Sequence, residues 1–317
     1  MGDFVVKITI LLAAYNGARF LPAQLQSLSD QTFTDFRVLF QDDGSTDETP
    51  RLLSAWAAKD PRFSAGMESG RRLGPVGNFF SLLRQADGDL LLFCDQDDLW
   101  EPHKLETLIR VYGDEVSAHP GQAGRPLLIH SDASLIDGEG RSVGPSFFRL
   151  QGWDPGATGL NRLLVQNNVT GCLMMINRPL ADLALKSADP SRLFMHDWFL
   201  ALTAAAFGRI LFCPAPLVRY RQHTGNAVGA SRQSLLRRGW SALRKRQKAR
   251  DRVDLTYRHT RVFQELYGPS LPPQAADLIR HYLDTQAYSW PRRVLAVRRL
   301  GCVMQSPVTR LGQLLFG

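Results

Sequence analysis

The stretch DLLLFCDQDDLWEP, residues 89–102, runs from four consecutive apolar residues, Leu90 to Phe93, directly into a cluster of acids. Such a run is typical of a strand that is buried on both faces of a parallel sheet. Asp95, Asp97 and Asp98 follow within five positions, where like charges repel one another. Three carboxylates at the end of a core strand therefore predict that a positive group lies close to them.

The surrounding sequence alternates between strand and helix patterns. Apolar runs typical of strands lie at residues 7–14, 36–40, 63–67 and 90–93. Apolar side chains at helical spacing lie at residues 18–29, 50–58 and 76–85. This alternation predicts an α/β fold with a mostly parallel sheet flanked by helices.

Composition points to an ordinary globular protein, since the 317 residues are 44% hydrophobic and 21% charged. The N-terminal stretch lacks the pattern of a signal peptide, and the four cysteines are scattered without C-x-x-C spacing. We therefore expect a cytoplasmic protein with buried, reduced thiols. The apolar stretch 199–218 contains Arg209, Pro214 and Pro216, which favours a buried helix and a short strand over a membrane span.

Positive charge is concentrated near the C-terminus. Residues 231–317 hold 17 Lys+Arg and 5 Asp+Glu, a net charge of +12, whereas residues 1–230 carry a net charge of −4. We therefore predict one domain over 1–230 and a basic, mainly helical extension over 231–317. Residues 231–254 interleave basic and apolar side chains, which fits either a helix lying on an anionic membrane surface or a helix packed on the first domain. A second basic patch at 289–301 favours peripheral attachment to the inner face of the cell membrane.

Polar side chains follow three of the predicted strands. Tyr15 and Asn16 follow the first strand, Asp42 and Asp43 the second, and the acid cluster the fourth. Parallel sheets bind ligands at the carboxyl ends of their strands, so these clusters are expected to share one crevice. Each cluster also has a purely structural interpretation, because DDGSTD is a common turn and capping sequence.

The paired acids suggest a cation and a phosphate. Asp95 and Asp97 lie two residues apart and would face the same way on an extended chain. Their hard oxygen ligands suit Mg or Mn, and a divalent ion stabilises the charge that develops on a departing diphosphate. The alternative is that Asp97 and Asp98 cap a helix beginning near Pro102.

Longer motifs add a family resemblance. The order AAYN (13–16), QDDGSTDET (41–49) and GDLLLFCDQDDLWEPHKLE (88–106) resembles glycosyltransferase family 2, whose members are inverting sugar transferases of the GT-A fold. The resemblance continues through NVTGCLMMINRPL (168–180), MHDWFLAL (195–202) and YRQHTGN (220–226), and so covers about residues 7–230. The DQDDLW, HDW and YRQH elements most resemble bacterial rhamnosyltransferases of surface polysaccharide synthesis.

This resemblance implies a metal-dependent glycosyltransferase that uses Mg or Mn. The donor would be a nucleotide-diphosphate sugar, with dTDP-rhamnose as one candidate, and the acceptor a hydroxyl of a glycan or lipid-linked glycan. Ala14 and Tyr15 would line the nucleotide pocket, Asp42 would accept a hydrogen bond from the base, and Asp43 would shape the same pocket. Nucleic acid is not an expected partner.

The resemblance also implies the chemical roles. Asp95 would lie near the ribose, Asp97 would bind the metal, and Asp197 would deprotonate the acceptor hydroxyl. Arg221 and His223 would approach the diphosphate or the metal from a closing loop, with metal ligation by His223 one of two possible roles. Residues 168–172 would form the acceptor-side wall. The sequence departs from many relatives at His196, where they have Glu, and we expect His196 to orient its neighbour Asp197.

Two other functions fit part of the sequence. A sugar-phosphate nucleotidyltransferase would share the fold and the paired acids, but its Gly-rich, Arg-containing loop after the first strand is not found in this sequence. A nonenzymatic nucleic-acid-binding protein would explain the charge of residues 231–317 but not the acid cluster.

Overall fold

The computed structural model describes residues 6–67, 71–122, 124–223 and 242–316. Within these residues one sheet contains nine strands: β1 Ile8–Ala14, β2 Arg37–Asp42, β3 Phe63–Ala65, β4 Leu90–Asp95, β5 Leu99–Trp100, β6 Leu127–Ile136, β7 Ser142–Gly144, β8 Met174–Asn177 and β9 Arg209–Arg221. The strands lie in the order β3-β2-β1-β4-β8-β6-β9-β5, with β7 paired to β6.

The described residues also form twelve α-helices: α1 Leu21–Ser29, α2 Thr49–Lys59, α3 Gly74–Gln85, α4 Lys104–Ala118, α5 Phe147–Gln151, α6 Leu160–Leu163, α7 Arg178–Ser187, α8 His196–Phe207, α9 Ala242–Tyr267, α10 Pro273–Asp284, α11 Trp290–Arg299 and α12 Pro307–Phe316. The α/β class and the alternation of the first four strands with helices confirm the prediction.

The sheet is mixed. β3, β2, β1 and β4 run parallel to one another, as predicted. Beyond β4 the direction changes, because β8 is antiparallel to both β4 and β6, while β9 is parallel to β6 and antiparallel to β5. The loops after β1, β2 and β4 leave the same edge of the sheet, where ligands bind in folds of this type.

The stretch 199–218 folds as a buried helix followed by a strand, as predicted, but the strand is not short. β9 is 13 residues long although it contains Pro214 and Pro216. Its register with β6 shifts on both sides of Asp132, so three residues of β9, Pro214, Ala215 and Leu217, have no partner in the ladder. A bulge is where a sheet tolerates proline, which cannot donate a ladder hydrogen bond.

The C-terminal helices pack on the rest of the chain and share its apolar core. Phe199 of α8 stacks on Tyr267 of α9 and also contacts Phe263 of α9 and Phe80 of α3. Thr203 Oγ1 and Tyr267 Oη are 2.9 Å apart, within hydrogen-bond distance. The described part of the predicted interfacial segment, residues 242–254, therefore belongs to a helix that packs on α8. The predicted boundary near residue 230 and the rest of that segment lie outside the described residues.

The four cysteines are buried and free of disulfides, as predicted. No helix in the described ranges is both long and apolar enough to cross a membrane.

Candidate active site

The carboxyl ends of β1 and β4, together with the start of α8, enclose a cavity of about 220 Å³, which we call the strand-end pocket. It is lined by Ala13, Ala14, Tyr15, Asp43, Arg72, Pro75, Asn78, Phe79, Asp95, Gln96, Asp97, Thr170, Gly171, Met195, His196, Asp197 and Tyr220. Six predicted site residues are among these: Ala14, Tyr15, Asp43, Asp95, Asp97 and Asp197. Three others, Asp42, Arg221 and His223, lie outside the lining.

The end of β1 is clamped to the end of β4 by Gln96. Gln96 Oε1 accepts a hydrogen bond from the Tyr15 backbone N–H, and Gln96 Nε2 donates one to the Tyr15 carbonyl, both at 2.8 Å. The side chain also packs on Gly17, where an added Cβ would lie 2.1 Å from Gln96 Oε1, so a larger residue at Gly17 would displace Gln96. Gln96 was not among the predicted site residues, although it is the middle residue of the D-Q-D triplet.

Asp43 is buried and fixes the start of α3. Its carboxylate accepts hydrogen bonds from the backbone N–H groups of Leu73, at 2.6 Å, and Gly74, at 2.8 Å. Arg72, the preceding residue, places its guanidinium 3.8 Å from the centre of the Tyr15 ring. No sequence pattern marks Arg72, because its stacking partner is 57 positions away in the chain.

Asp42 stabilises its own turn. Its side chain accepts hydrogen bonds from the backbone N–H groups of Gly44, at 3.1 Å, and Ser45, at 2.8 Å. It lines a neighbouring cavity with Arg71 and Arg72 rather than the strand-end pocket. Asp42 therefore has the structural role in a turn that the sequence allowed. Its contact with the base of a nucleotide stays a prediction.

The acid cluster divides into two half-buried members and one fully buried member. Asp95 and Asp97 line the pocket, whereas Asp98 is buried and accepts a hydrogen bond from the Arg221 backbone N–H at 2.9 Å. Burial and the charges of Asp97 and Asp98 raise the pKa of Asp95, and burial raises the pKa of Asp98 to about 7. The helix-capping alternative is wrong, because α4 begins at Lys104 with His103 as its cap residue.

Lys104 supplies the positive group that the acid cluster predicts. It is fully buried, its Nζ donates a hydrogen bond to the Cys172 carbonyl at 2.8 Å, and the same atom lies 3.4 Å from the centre of the Trp100 ring. Burial lowers the pKa of Lys104 to about 8, against the attraction of Asp98 and Asp95. Lys104 was not among the predicted site residues, because a lysine in the first turn of a helix is ordinarily exposed.

Arg221 and His223 approach the acid cluster from outside the strand-end pocket. Arg221 is buried, and its Nε donates a hydrogen bond to the Asp97 carbonyl at 2.8 Å. His223 Nε2 lies 2.8 Å from Asp97 Oδ2, and its ring packs on Phe20. Arg221 therefore braces the acidic loop rather than lining the pocket, and its contact with a diphosphate stays a prediction.

Among the described residues, the ligand atoms of Asp95, Asp98 and Cys172 lie within 4.8 Å of one another, whereas Asp95, Asp97 and His223 do not form such a group. Burial raises the pKa of the Cys172 thiol. A neutral thiol next to a buried ammonium does not suit a hard divalent cation. We interpret this inner group as a cluster that Lys104 neutralises, not as a metal centre.

Asp197 lies in the first turn of α8, where the helix dipole favours a negative charge. Its Oδ1 accepts a hydrogen bond from Asn167 Nδ2 and its Oδ2 accepts one from the Gly171 backbone N–H, both at 3.1 Å. Burial raises the pKa of Asp197 to about 7. A fixed carboxylate with a pKa near neutrality meets the requirements for a general base.

His196 is buried between aromatic rings and lines the pocket beside Asp197. The centres of the His196 and Phe79 rings are 4.3 Å apart, and those of His196 and Phe93 5.4 Å. Burial lowers the pKa of His196 to about 3, so the ring is neutral. An added Cβ on Gly171 would lie 2.7 Å from His196 Nε2, so the imidazole requires glycine at that position.

The predicted acceptor-side wall, residues 168–172, is only partly exposed to the pocket. Thr170 and Gly171 line it, whereas Cys172 is buried away from it. Asn168 is buried too, and its Nδ2 donates a hydrogen bond to the Asp154 carbonyl at 3.0 Å.

Comparison with known proteins agrees with this geometry. Residues 9–121, which contain β1 to β4 and the acid cluster, match the family described as Glycosyl transferase family 2. Over these residues the chain is similar to glycosyl transferase family 2. This match ends before Asp197, so the second half of the pocket lies outside it.

Two curated relatives extend the similarity along the chain. EpsH of Bacillus subtilis (strain 168), which carries a provisional glycosyltransferase name, is 25% identical over 238 residues, covering 73% of this chain and 65% of EpsH. The dTDP-rhamnosyl transferase RfbG of Shigella flexneri is 27% identical over 233 residues, covering 69% of this chain and 74% of RfbG. The alignment with EpsH thus spans just under two thirds of that relative's length.

A solved structure shows the same fold. The mannosyltransferase PcManGT from Pyrobaculum calidifontis, in complex with GDP-Man and Mn²⁺, is similar over 98% of this chain and 79% of its own, with a TM-score of 0.56 and 18% identity. The chain therefore has the GT-A fold that its sequence predicts.

Proposed function

We propose that this chain transfers a sugar from a nucleotide-diphosphate donor to a hydroxyl of a glycan or lipid-linked glycan acceptor, with inversion at the anomeric carbon. The observation that carries the proposal is the strand-end pocket itself. Its walls combine Tyr15 for a nucleotide, Asp95 and Asp97 for a metal-bound diphosphate, and Asp197 as a base.

The nucleotide would bind over the end of β1. Tyr15 offers an aromatic face, Ala14 a small wall, and the buried Asp43 holds the start of α3 against them. Arg72 stacks on Tyr15 and adds positive charge where a nucleotide enters. Asp42 would contact the base from the neighbouring cavity.

A divalent metal would be held by Asp97 and Asp95, with His223 as a further ligand. The residue types fit such an ion, because two carboxylates line the pocket and His223 Nε2 lies 2.8 Å from Asp97 Oδ2, while Asp95 would have to come closer to that pair than it does in this structure. Oxygen ligands with one imidazole suit Mg or Mn, and the similar mannosyltransferase PcManGT is described with Mn²⁺. Such an ion supplies positive charge to a departing diphosphate.

Asp197 would take the proton of the acceptor hydroxyl. The acceptor oxygen then forms its bond to the anomeric carbon while the bond from that carbon to the diphosphate oxygen breaks. The nucleoside diphosphate leaves with the bonding electron pair. Because Asn167 and Gly171 both donate hydrogen bonds to Asp197, its ionised form is held in one orientation.

Rhamnose is the donor sugar that we favour, because the DQDDLW, HDW and YRQH elements resemble rhamnosyltransferases and RfbG is named a dTDP-rhamnosyl transferase. Peripheral attachment to a membrane is supported by α11, which presents the exposed side chains of Trp290, Leu295, Arg298 and Arg299.

A panel of nucleotide sugars, scored for released nucleoside diphosphate, tests the proposed function. We expect release from one donor class, loss of release in excess chelator, and recovery when Mg or Mn is added. Asp97→Asn should nearly abolish turnover, whereas Asp87→Asn, on the loop before β4 and outside the pocket, should leave it unchanged. Full activity of the Asp97 variant, or full activity in chelator, would contradict the metal assignment.

A further inference from the structure

A second cavity, of about 460 Å³, lies on the other side of Asp197. We call it the side pocket. It shares four residues with the strand-end pocket: Thr170, Met195, Asp197 and Tyr220. The two hydrogen-bond partners of the Asp197 carboxylate divide between the cavities, because Asn167 lines the side pocket and Gly171 lines the strand-end pocket.

The acids at the end of β4 line the strand-end pocket and are not part of the side pocket. A direct displacement needs its nucleophile on the face of the sugar opposite the departing diphosphate. A base that deprotonates the acceptor next to the bound donor must therefore lie between donor and acceptor, and Asp197 is in that position. Resting on the proposed function, we infer that the side pocket binds the acceptor, and that this acceptor is a saccharide bearing an anionic group.

The side chains that line the side pocket suit a saccharide ligand. Aromatic rings of Phe147, Trp153, Phe194 and Trp198 alternate with amide and hydroxyl side chains such as Gln151 and Ser306. Aromatic faces pack on the C–H faces of sugars, and polar side chains bind the hydroxyl groups. Phe194 is 50% exposed, so its ring is available to a ligand.

The C-terminal helices complete this cavity. Arg252 and Thr256 of α9 and Thr309 of α12 line it. Arg252 is exposed, and among the described residues no carboxylate is paired with it. Because Asp197 contributes the negative charge at one end, the guanidinium of Arg252 provides a separate place for a phosphate or carboxylate of the acceptor.

Binding of simple sugars tests the inference without knowledge of the natural acceptor. Ligand-observed NMR would compare methyl glucoside, methyl glucuronide and glucose 6-phosphate, with nucleoside diphosphate present to fill the donor site. We expect Phe194→Ala to weaken all three sugars several-fold. Arg252→Gln should weaken the two anionic sugars about tenfold, the usual value of a charge-assisted hydrogen bond, and leave methyl glucoside unchanged. A larger effect on glucuronide than on the phosphate would assign the group as a carboxylate, and the reverse as a phosphate.

The matched control is Arg258→Gln, six residues further along α9 and outside the side pocket, which should bind all three sugars like the wild type. Equal binding of every sugar to Phe194→Ala, Arg252→Gln and the wild type would overturn the inference, as would no binding to the wild type. Failure of the proposed function looks different, because the wild type would then release no nucleotide from any donor.

Discussion

Asp197→Asn removes a carboxylate while keeping its size and shape. The wild-type side chain accepts hydrogen bonds on both oxygens, from Asn167 Nδ2 and from the Gly171 backbone N–H. The amide that replaces it would have one acceptor oxygen, so the variant keeps one of these bonds and loses the other. Because burial opposes the ionised form of Asp197, loss of the charge offsets part of this cost, and we expect the variant to fold.

The rate should fall far more than the stability. Removal of a general base typically slows a reaction about 100-fold to 10,000-fold, or about 2.7–5.5 kcal/mol in activation free energy. The other carboxylates of the strand-end pocket cannot replace it, because Asp43 is held by Leu73 and Gly74, while Asp95 and Asp97 lie at the end of β4. We therefore expect a loss of about 1,000-fold or more.

The assay measures nucleotide release by the wild type and by Asp197→Asn, with and without acceptor, from about pH 5 to about pH 9. A base must be deprotonated to act, and burial raises the pKa of Asp197 to about 7, so wild-type transfer should rise with pH and level off above about 7. The variant should lose this rise while donor affinity stays within a few-fold. Asp189→Asn is the control, since Asp189 is a capping residue outside both pockets and Asn caps equally well. Near wild-type transfer by Asp197→Asn, or an equal loss of donor affinity, would refute the assignment.

Three further changes test the role of Lys104, membrane attachment and the contribution of the C-terminal helices. Lys104→Met leaves a buried acid cluster without its cation and should lower the free energy of unfolding by about 3–5 kcal/mol in urea titrations, whereas Lys59→Met, at an exposed helix end, should change it little. Replacing Arg298 and Arg299 by Gln should weaken co-sedimentation with anionic vesicles at least tenfold, at about 1 kcal/mol for each residue, and leave neutral vesicles unaffected. Equal sedimentation would contradict membrane attachment. A chain that lacks residues 242–317 should be insoluble; a soluble, cooperatively folding product would show that α9–α12 are dispensable.

The first half of the fold could be predicted because its signals are local. β1, β2 and β4 each centre on a run of apolar residues, and the helices between the first four strands have apolar side chains at helical spacing. The second half depends on pairings between distant segments, since β8 joins β4 to β6 and β9 runs beside β6 through a bulge. Neither direction nor register of such pairs is encoded in a short window.

The site was predictable for a related reason. Parallel strands bring their carboxyl ends to one edge, so polar residues at or just after the ends of β1 and β4, such as Tyr15 and Asp95, had to meet. Arg221 lies at the end of β9, a strand whose partner could not be predicted, and its side chain braces the acidic loop. Lys104 was missed because its burial results from packing of α4 beneath the cluster, which no spacing in the sequence reveals.

The position of α8 connects the C-terminal helices to the chemistry. α8 is apolar on nearly all sides and lies between α3 and α9, with Phe199 in contact with Phe80 on one side and with Phe263 on the other. A helix held on two faces cannot shift without opening the core. Asp197 lies in its first turn, so the packing that buries α8 also fixes the carboxylate between the two pockets. The C-terminal helices thus serve the proposed reaction twice, by holding the base in place and by lining the side pocket.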